Sequence, residues 1–255
     1  MKNTASDAEQ ALLPGVKPVL ELLQSEPGRV DCVFLRRGLR SKESGMILDM
    51  CRKTGIRFSL LDAPLLDKMC AAQHQGVLAR LTSTSLVPWE ELLAGAPDAP
   101  LPCILALDQV QDPGNVGTLA RTCYALGGAG LLVPKHNSAY LGGAARRSAA
   151  GALERLPVAS VTNLGHALDS AEEAGFALVG TGMHGTSLNA FTDPLPTPLV
   201  LVLGNEDKGL RPAIAKRCTH MVHIPMLRDF DSLNVAQAGA VLMGLFARQH
   251  ITFPK

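Results

Sequence analysis

The chain has 255 residues, 47% of them hydrophobic and 4% aromatic, with a formal net charge of +1 at pH 7. Its length allows one or two domains with a proper core. The near-neutral charge speaks against a surface built throughout for nucleic acid and leaves only local basic patches, and no apolar run approaches the roughly 18 residues of a membrane span.

The N-terminal MKNTASDAEQ is polar and lacks the apolar stretch of a signal peptide. Helical spacing is expected over residues 15–24, a strand over 30–35, a helix over 41–54, a strand over 56–60, a short helix over 64–70 and a strand over 77–81. This alternation predicts a small α/β domain over residues 1–82. Residues 83–101, rich in proline and small residues, read as a linker with one short helix at 89–94. From residue 102 to 255 the alternation returns on a larger scale. Strands are expected at 103–107, 130–133, 158–161, 176–179, 199–203 and 221–224, and helices at 115–126, 144–153, 164–174, 211–217 and 234–249. Short apolar runs alternating with helices predict a mostly parallel sheet covered on both faces. The six cysteines (Cys32, Cys51, Cys70, Cys103, Cys123, Cys218) form no C-x-x-C pair. They read as buried, reduced thiols of a cytoplasmic protein, with neither a disulfide frame nor a metal-ligand cluster.

FALVGTGMHG, residues 176–185, contains a G-x-G-x-x-G spelling after an apolar run. A nicotinamide-dependent oxidoreductase would need those glycines to open a helix, where the pyrophosphate sits, and an acidic residue about 20 positions on. The following TSLNAFTDPLPTP has three prolines and no amphipathic period, and position 205 is Asn. The glycines therefore read as a loop whose backbone lies against some other flat ligand.

Two further loops share that pattern of strand end followed by a glycine-rich or polar turn: GNEDKGL from Gly204, and IPMLRDFDSLN from Ile224. Open α/β sheets bind ligands at such strand ends. Ser232 and Asn234 are good helix-capping types before the last helix. In LDQVQDPGNVGTLARTCYALG, from Leu107, Pro113 and Gly114 shape a turn and Asn115 is a candidate cap. Arg121 follows less than two turns into that helix, where it opposes the macrodipole, an arrangement that favours a functional role.

DPGNVGTLARTCYALG, LVLGNEDKGL and IPMLRDFDSLNVAQA, in that order, resemble the three motifs of the SpoU (TrmH-like) RNA ribose 2′-O-methyltransferases, a branch of the knotted SPOUT superfamily. The resemblance runs from about residue 102 to 249. KHNSAYLGGAARRSAAGALERLPVASVTNL is most similar to the members that methylate a guanosine of bacterial 23S rRNA. GVKPVLELL and HQGVLARL resemble the ribosomal-protein-like substrate-binding domain that precedes the catalytic domain there. The resemblance implies a small α/β RNA-binding domain followed by an α/β knot with a trefoil-threaded, mostly parallel sheet. It also implies a homodimer that uses S-adenosyl-L-methionine and no metal. A tRNA target is the near alternative, and a catalytically dead RNA-binding relative is disfavoured because the motif residues are all present. The cofactor would lie against Thr181, Gly182, Gly204, Asn205, Ile224, Met226, Leu227 and Leu233. Arg121, Asn115, Glu206, Ser232 and Asn234 would form the catalytic set. Arg121 is the family's candidate for activating the ribose hydroxyl, although a guanidinium is nearly always protonated.

The chain departs from the family where a glycine commonly follows the isoleucine-proline-methionine run, since Arg228 occupies that place. Candidate phosphate contacts are Arg36, Arg37 and Arg40 with Lys42, and Arg146 with Arg147. The few aromatics argue against a stacking platform for single strands.

Overall fold

The computed structural model describes residues 12–81, 86–182, 188–228 and 232–250. The chain divides into two units, Met1–Ser85 and Leu86–Lys255.

In the first unit, β1 (Leu12–Pro14), β2 (Val30–Arg36), β3 (Arg57–Leu61) and β4 (Val77–Leu81) form a sheet in the order β1-β4-β2-β3. β2 and β3 are parallel and the other pairs antiparallel. Alternation along β2 sends Val33 and Leu35 to one side, where they meet α1 (Val16–Ser25) and α2 (Lys42–Thr54) through Val19, Leu23, Ile47 and Cys51. Cys32 and Phe34 face the other side, against Leu66 of α3 (Ala63–Met69). α2 starts where its register needs it because Ser41 and Ser44 form a reciprocal capping box.

The second unit carries eight strands: β5 (Leu86–Val87), β6 (Leu101–Leu107), β7 (Gly128–Pro134), β8 (Val158–Val161), β9 (Ala177–Thr181), β10 (Leu188–Asn189), β11 (Leu199–Leu203) and β12 (His220–His223). Their order is β10-β12-β9-β11-β6-β7-β8-β5, and every pairing is parallel. Both faces are covered, as the continuous apolar runs require. Leu105, Leu107, Leu201 and Leu203 pack with α5 (Pro113–Ala125), α6 (Gly143–Ala149) and α9 (Val235–His250). Ile104, Ala106, Val200 and Val202 pack with α4 (Trp89–Gly95), α7 (Leu164–Glu173) and α8 (Pro212–Ala215). Among the described residues no helix is long and apolar enough to cross a membrane.

Residues 86–101, expected as a linker, are built into this second unit. β5 pairs with β8, Trp89 and Leu92 are buried, and the Trp89 indole N–H donates to Ser170 Oγ at 2.9 Å. The prolines that suggested a linker lie at helix starts and at the entry to β6, where a missing N–H costs nothing. Residues 83–85 of that stretch lie outside the described residues. The helix expected to run to residue 153 ends at Ala149, because Ala150 and Gly151 turn left-handed with φ 49° and 87°.

α5 and α6 meet backbone to backbone at Gly117, where an added Cβ would come 2.2 Å from the Ala145 carbonyl oxygen. Gly117→Ala is therefore expected to cost about 1–3 kcal/mol by overpacking, read as a lower urea midpoint. Burial pushes the Cys123 and Cys218 thiols up to about 12 and Cys51 to about 11. Only the thiolate is nucleophilic. The native protein at pH 8 is expected to react slowly with a chromogenic disulfide reagent, and all six thiols to react once the chain is unfolded.

Candidate active site

β12, β9, β11 and β6 are consecutive and parallel, so their C-terminal ends share one edge of the sheet. The register sets Leu203 beside Leu107, Val202 beside Gly180, and Thr181 beside Val222. The loops that leave this edge are the ones singled out in the sequence.

The turn after β11 is tightly closed. Asn205 and Gly209 exchange both backbone hydrogen bonds, at 3.0 and 2.9 Å. An added Cβ on Gly204 would come 2.3 Å from the Gly209 carbonyl carbon, so only glycine fits there. Asn205 Oδ1 accepts from the backbone N–H groups of Asp207 and Lys208, and its Nδ2 donates to the Gln109 carbonyl at 3.1 Å. This fixes Glu206 at the exposed tip of the turn and ties the turn to the loop after β6.

Glu206 gathers two other segments. Its Oε1 accepts from Asn115 Nδ2 and, at 2.8 Å, from Asn234 Nδ2. Asn234 Nδ2 also donates to Asn115 Oδ1 at 3.1 Å. The local sequence frees these side chains. Asp112, not Asn115, caps α5: its Oδ1 accepts the Asn115 backbone N–H at 2.8 Å, which leaves the Asn115 amide to Glu206. Asn234, not Ser232, caps α9, with Oδ1 accepting from Ala236 N–H at 2.9 Å while Nδ2 reaches Glu206. Glu206 Oε2 makes no hydrogen bond among the described residues, so one acceptor stays free in a cluster whose geometry is set by three loops.

Arg121 and Ser232 are not part of that cluster. Arg121 is the ninth residue of α5, six positions and about 9 Å of helix rise beyond Asn115. It is therefore past the first turn, where the macrodipole acts, and the expected dipole penalty does not apply. It is exposed and has no ion pair or hydrogen bond among the described residues, a cation left available. Ser232 is exposed and unbonded in the same sense. Of the residues expected against the cofactor, Thr181 hydrogen-bonds Val202 O at 3.2 Å, Gly182 N–H bonds Val222 O, and Ile224 packs on the core. Met226 and Leu227 are exposed, Leu227 completely, so two apolar side chains stand uncovered beside the strand ends. Residues 183–187 and 229–231 lie outside the described residues. The described residues hold no group of three or more His, Cys, Asp or Glu able to bind a metal.

In the first unit, Arg36 and Arg40 are exposed without an ion pair, and Arg37 lies 3.4 Å from Asp62. Arg36 also borders a cavity of about 580 Å³ with residues 70–76. Arg146 is held by Glu154, and Arg147 also has a partner, so this pair is less available than the sequence implied.

One member of the site gave no sequence signal. Asp108, fully buried, accepts from Arg211 Nε at 2.7 Å and from its backbone N–H at 2.8 Å. This pair locks the loop after β6 to the start of α8.

The cluster is testable by stability alone. Glu206→Ala and Asn115→Ala share one hydrogen-bond network, so their effects should not add. A double-mutant cycle in urea is expected to give a coupling of about 0.5–2 kcal/mol. Coupling indistinguishable from zero would mean that the carboxylate and amide do not interact in solution.

Comparison with known proteins places the chain in a family. The family described as "SpoU rRNA Methylase family" matches residues 102–244, and "RNA 2'-O ribose methyltransferase substrate binding" matches residues 12–86. A 23S rRNA (guanosine-2′-O-)-methyltransferase RlmB of Haemophilus influenzae is 34% identical over 242 residues, 93% of this chain and 97% of the relative. The putative TrmH family tRNA/rRNA methyltransferase YacO of Bacillus subtilis is 30% identical over 230 residues, covering 90% of this chain and 92% of its own. Among solved structures, the SpoU methyltransferase AviRb from Streptomyces viridochromogenes in complex with the cofactor AdoMet aligns with a TM-score of 0.56 at 28% identity, over 97% of this chain and 94% of that one. With both family models matched in order and relatives of this similarity over nearly the whole length, the chain belongs to the SpoU rRNA methylase family.

Proposed function

We propose that the chain is an S-adenosylmethionine-dependent RNA ribose 2′-O-methyltransferase whose target is a guanosine of 23S rRNA. The observation that carries this is the Asn115–Glu206–Asn234 cluster, joined from three loops at one edge of an all-parallel sheet, with Arg121 left unpaired on the same helix as Asn115. The relatives named as 23S rRNA guanosine methyltransferases support the substrate. We assign residues 1–82 to RNA binding, through Arg36, Arg37 and Arg40, and residues 102–255 to methyl transfer. A homodimer, a trefoil knot and a cytoplasmic location belong to the same reading.

The residues present suit the cofactor. The flat adenosine part of the cofactor calls for backbone polar groups and apolar cover. The backbone of Thr181, Gly182, Gly204 and Asn205 lies at the ends of β9 and β11, and we assign apolar cover to Ile224, Met226, Leu227 and Leu233. When bound, S-adenosylmethionine supplies a methyl group on a positively charged sulfur, already a good leaving group. The chain's own part is to hold the ribose. Glu206 Oε2 accepts a hydrogen bond from a ribose hydroxyl and orients its oxygen, and the two asparagines keep that carboxylate in place. A guanidinium offers N–H donors and no acceptor, so Arg121 acts as a donor. It binds the target phosphate or stabilises charge on the ribose oxygen as it reacts. Holding both substrates in register supplies much of the remaining rate.

Arg121→Ala is expected to lower methyl transfer about 10²–10³-fold, while calorimetry with S-adenosylhomocysteine shows unchanged affinity. Unchanged turnover refutes the role of Arg121. Mapping ribose methylation on RNA from cells with and without the protein should show one guanosine of 23S rRNA losing its mark. A lost mark in tRNA corrects the substrate, and binding of NADH but not of S-adenosylhomocysteine overturns the class.

A further inference from the structure

The second unit has a cavity of about 400 Å³ on the α7–α8 side of the sheet edge, opposite the face that carries α5 and α9. Gln109, His136, Thr162, Asn163, Arg211 and Arg217 are among its walls. We propose that this cavity holds a phosphodiester of the RNA strand next to the nucleotide being methylated. The inference rests on the chain being an RNA methyltransferase and adds a contact outside the motif residues.

The wall chemistry selects an anion. Its charged side chains are two arginines, with His136 beside them, and no carboxylate is part of it. The carboxylates that hold the arginines lie behind: Asp108 takes Arg211 Nε at 2.7 Å, and Asp169 takes Arg217 Nε at 2.7 Å. Arg217 Nη1 is spent on the Ala213 carbonyl at 2.8 Å. Nη2 of Arg217 and both terminal nitrogens of Arg211 make no hydrogen bond among the described residues. Planar forks fixed in this way suit a phosphate.

Arg217 lies against the start of α7. An added Cβ on Gly165 would lie 3.0 Å from Arg217 Cζ and 3.1 Å from Nε, so the guanidinium rests on the first turn of α7. A cation there faces the positive end of the helix, where Asn163 Oδ1 takes the His166 N–H at 3.3 Å and the N–H groups of Leu164 and Gly165 have no partner inside the helix. Asp169 offsets part of this from one side. A phosphate between the helix end and the guanidinium would satisfy both.

The cavity is also coupled to the catalytic edge. The loop after β6 forms a wall of the cavity at Gln109 and then leads into α5 and Asn115. The Gln109 carbonyl accepts from Asn205, the neighbour of Glu206. Asp108 and Arg211 clamp the same two loops. Its volume lies in the range of ligand sites and exceeds what one ion needs.

The test is equilibrium binding of an in vitro 23S rRNA transcript to the full chain with saturating S-adenosylhomocysteine, over a range of salt. Arg217→Gln combined with His136→Ala should weaken RNA binding about tenfold and flatten the slope of log K against log salt by roughly 0.7 for each phosphate that the variant no longer neutralises. S-adenosylhomocysteine affinity and kcat at saturating RNA should stay unchanged, with the effect falling on KM. Thr162→Glu places a carboxylate in the wall without touching either ion pair and should act in the same direction. Unchanged RNA affinity and slope in both variants overturns the proposal. So does binding of inorganic phosphate that Arg217→Gln abolishes without any change for RNA, since that marks a site for a free anion. Because the readout is binding, absence of methyl transfer by the wild-type chain would count against the proposed activity and not against this contact.

Discussion

Parallel alignment is the constraint from which the rest of the second unit follows. A parallel strand must return by a crossover before the next can begin, so every connection after a strand end starts at the same edge of the sheet. β6, β9, β11 and β12 are neighbours in space though separated in sequence, and that brings residues 108–115, 181–182, 204–211, 224–228 and 232–234 together. The apolar runs that make these strands are therefore also what assembles the polar site. No side chain in the site needs to reach far, because the sheet has already delivered the loops.

At that edge a single carboxylate oxygen does the joining. Glu206 Oε1 accepts from two amides that are 119 positions apart in sequence. Such hydrogen bonds are worth only about 1–3 kcal/mol each. Their importance is geometric, since they fix three loops relative to one another. The buried Asp108–Arg211 pair performs the same service on the other face of the sheet, with the carboxylate fully dry and its two oxygens bonded to the side chain and backbone of one residue. Together the two pairs hold the loops after β6 and β11 from both sides.

The sequence made the large elements legible because burial writes itself as periodicity. LVLVL could only be a strand covered on both faces, and residues 164–173 and 235–250 alternate at helical spacing. It was silent where elements are too short to carry a pattern, as in β1, β5 and β10 with two or three residues each. It misled where composition stood in for contact: residues 86–101 have the prolines of a linker, but Trp89 and Leu92 anchor them to the sheet. In the site, Asn115, Glu206 and Asn234 were readable as motif residues. Which side-chain atom served the fold and which served the cluster was not, because Asp112 and Asn115 are both good cap types and only the hydrogen bonds distinguish them. Asp108 was hidden for a different reason: a lone aspartate after a strand looks like any turn residue until its burial is known.

Asn234 leads to a consequence of its own. One side chain performs two tasks with opposite ends, the carbonyl oxygen capping α9 and the amide nitrogen holding Glu206. Aspartate would keep the cap but set two carboxylates against each other. Serine or threonine would keep the cap and fall short of Glu206. Glutamine would keep the amide and lose the capping geometry. An exposed position is usually the most permissive kind in a protein; this one is as restricted as a core position, because it is the only residue type that satisfies both neighbours at once. The restriction comes from hydrogen-bond polarity and reach, with no contribution from packing, so measures of tolerance based on burial would misjudge it.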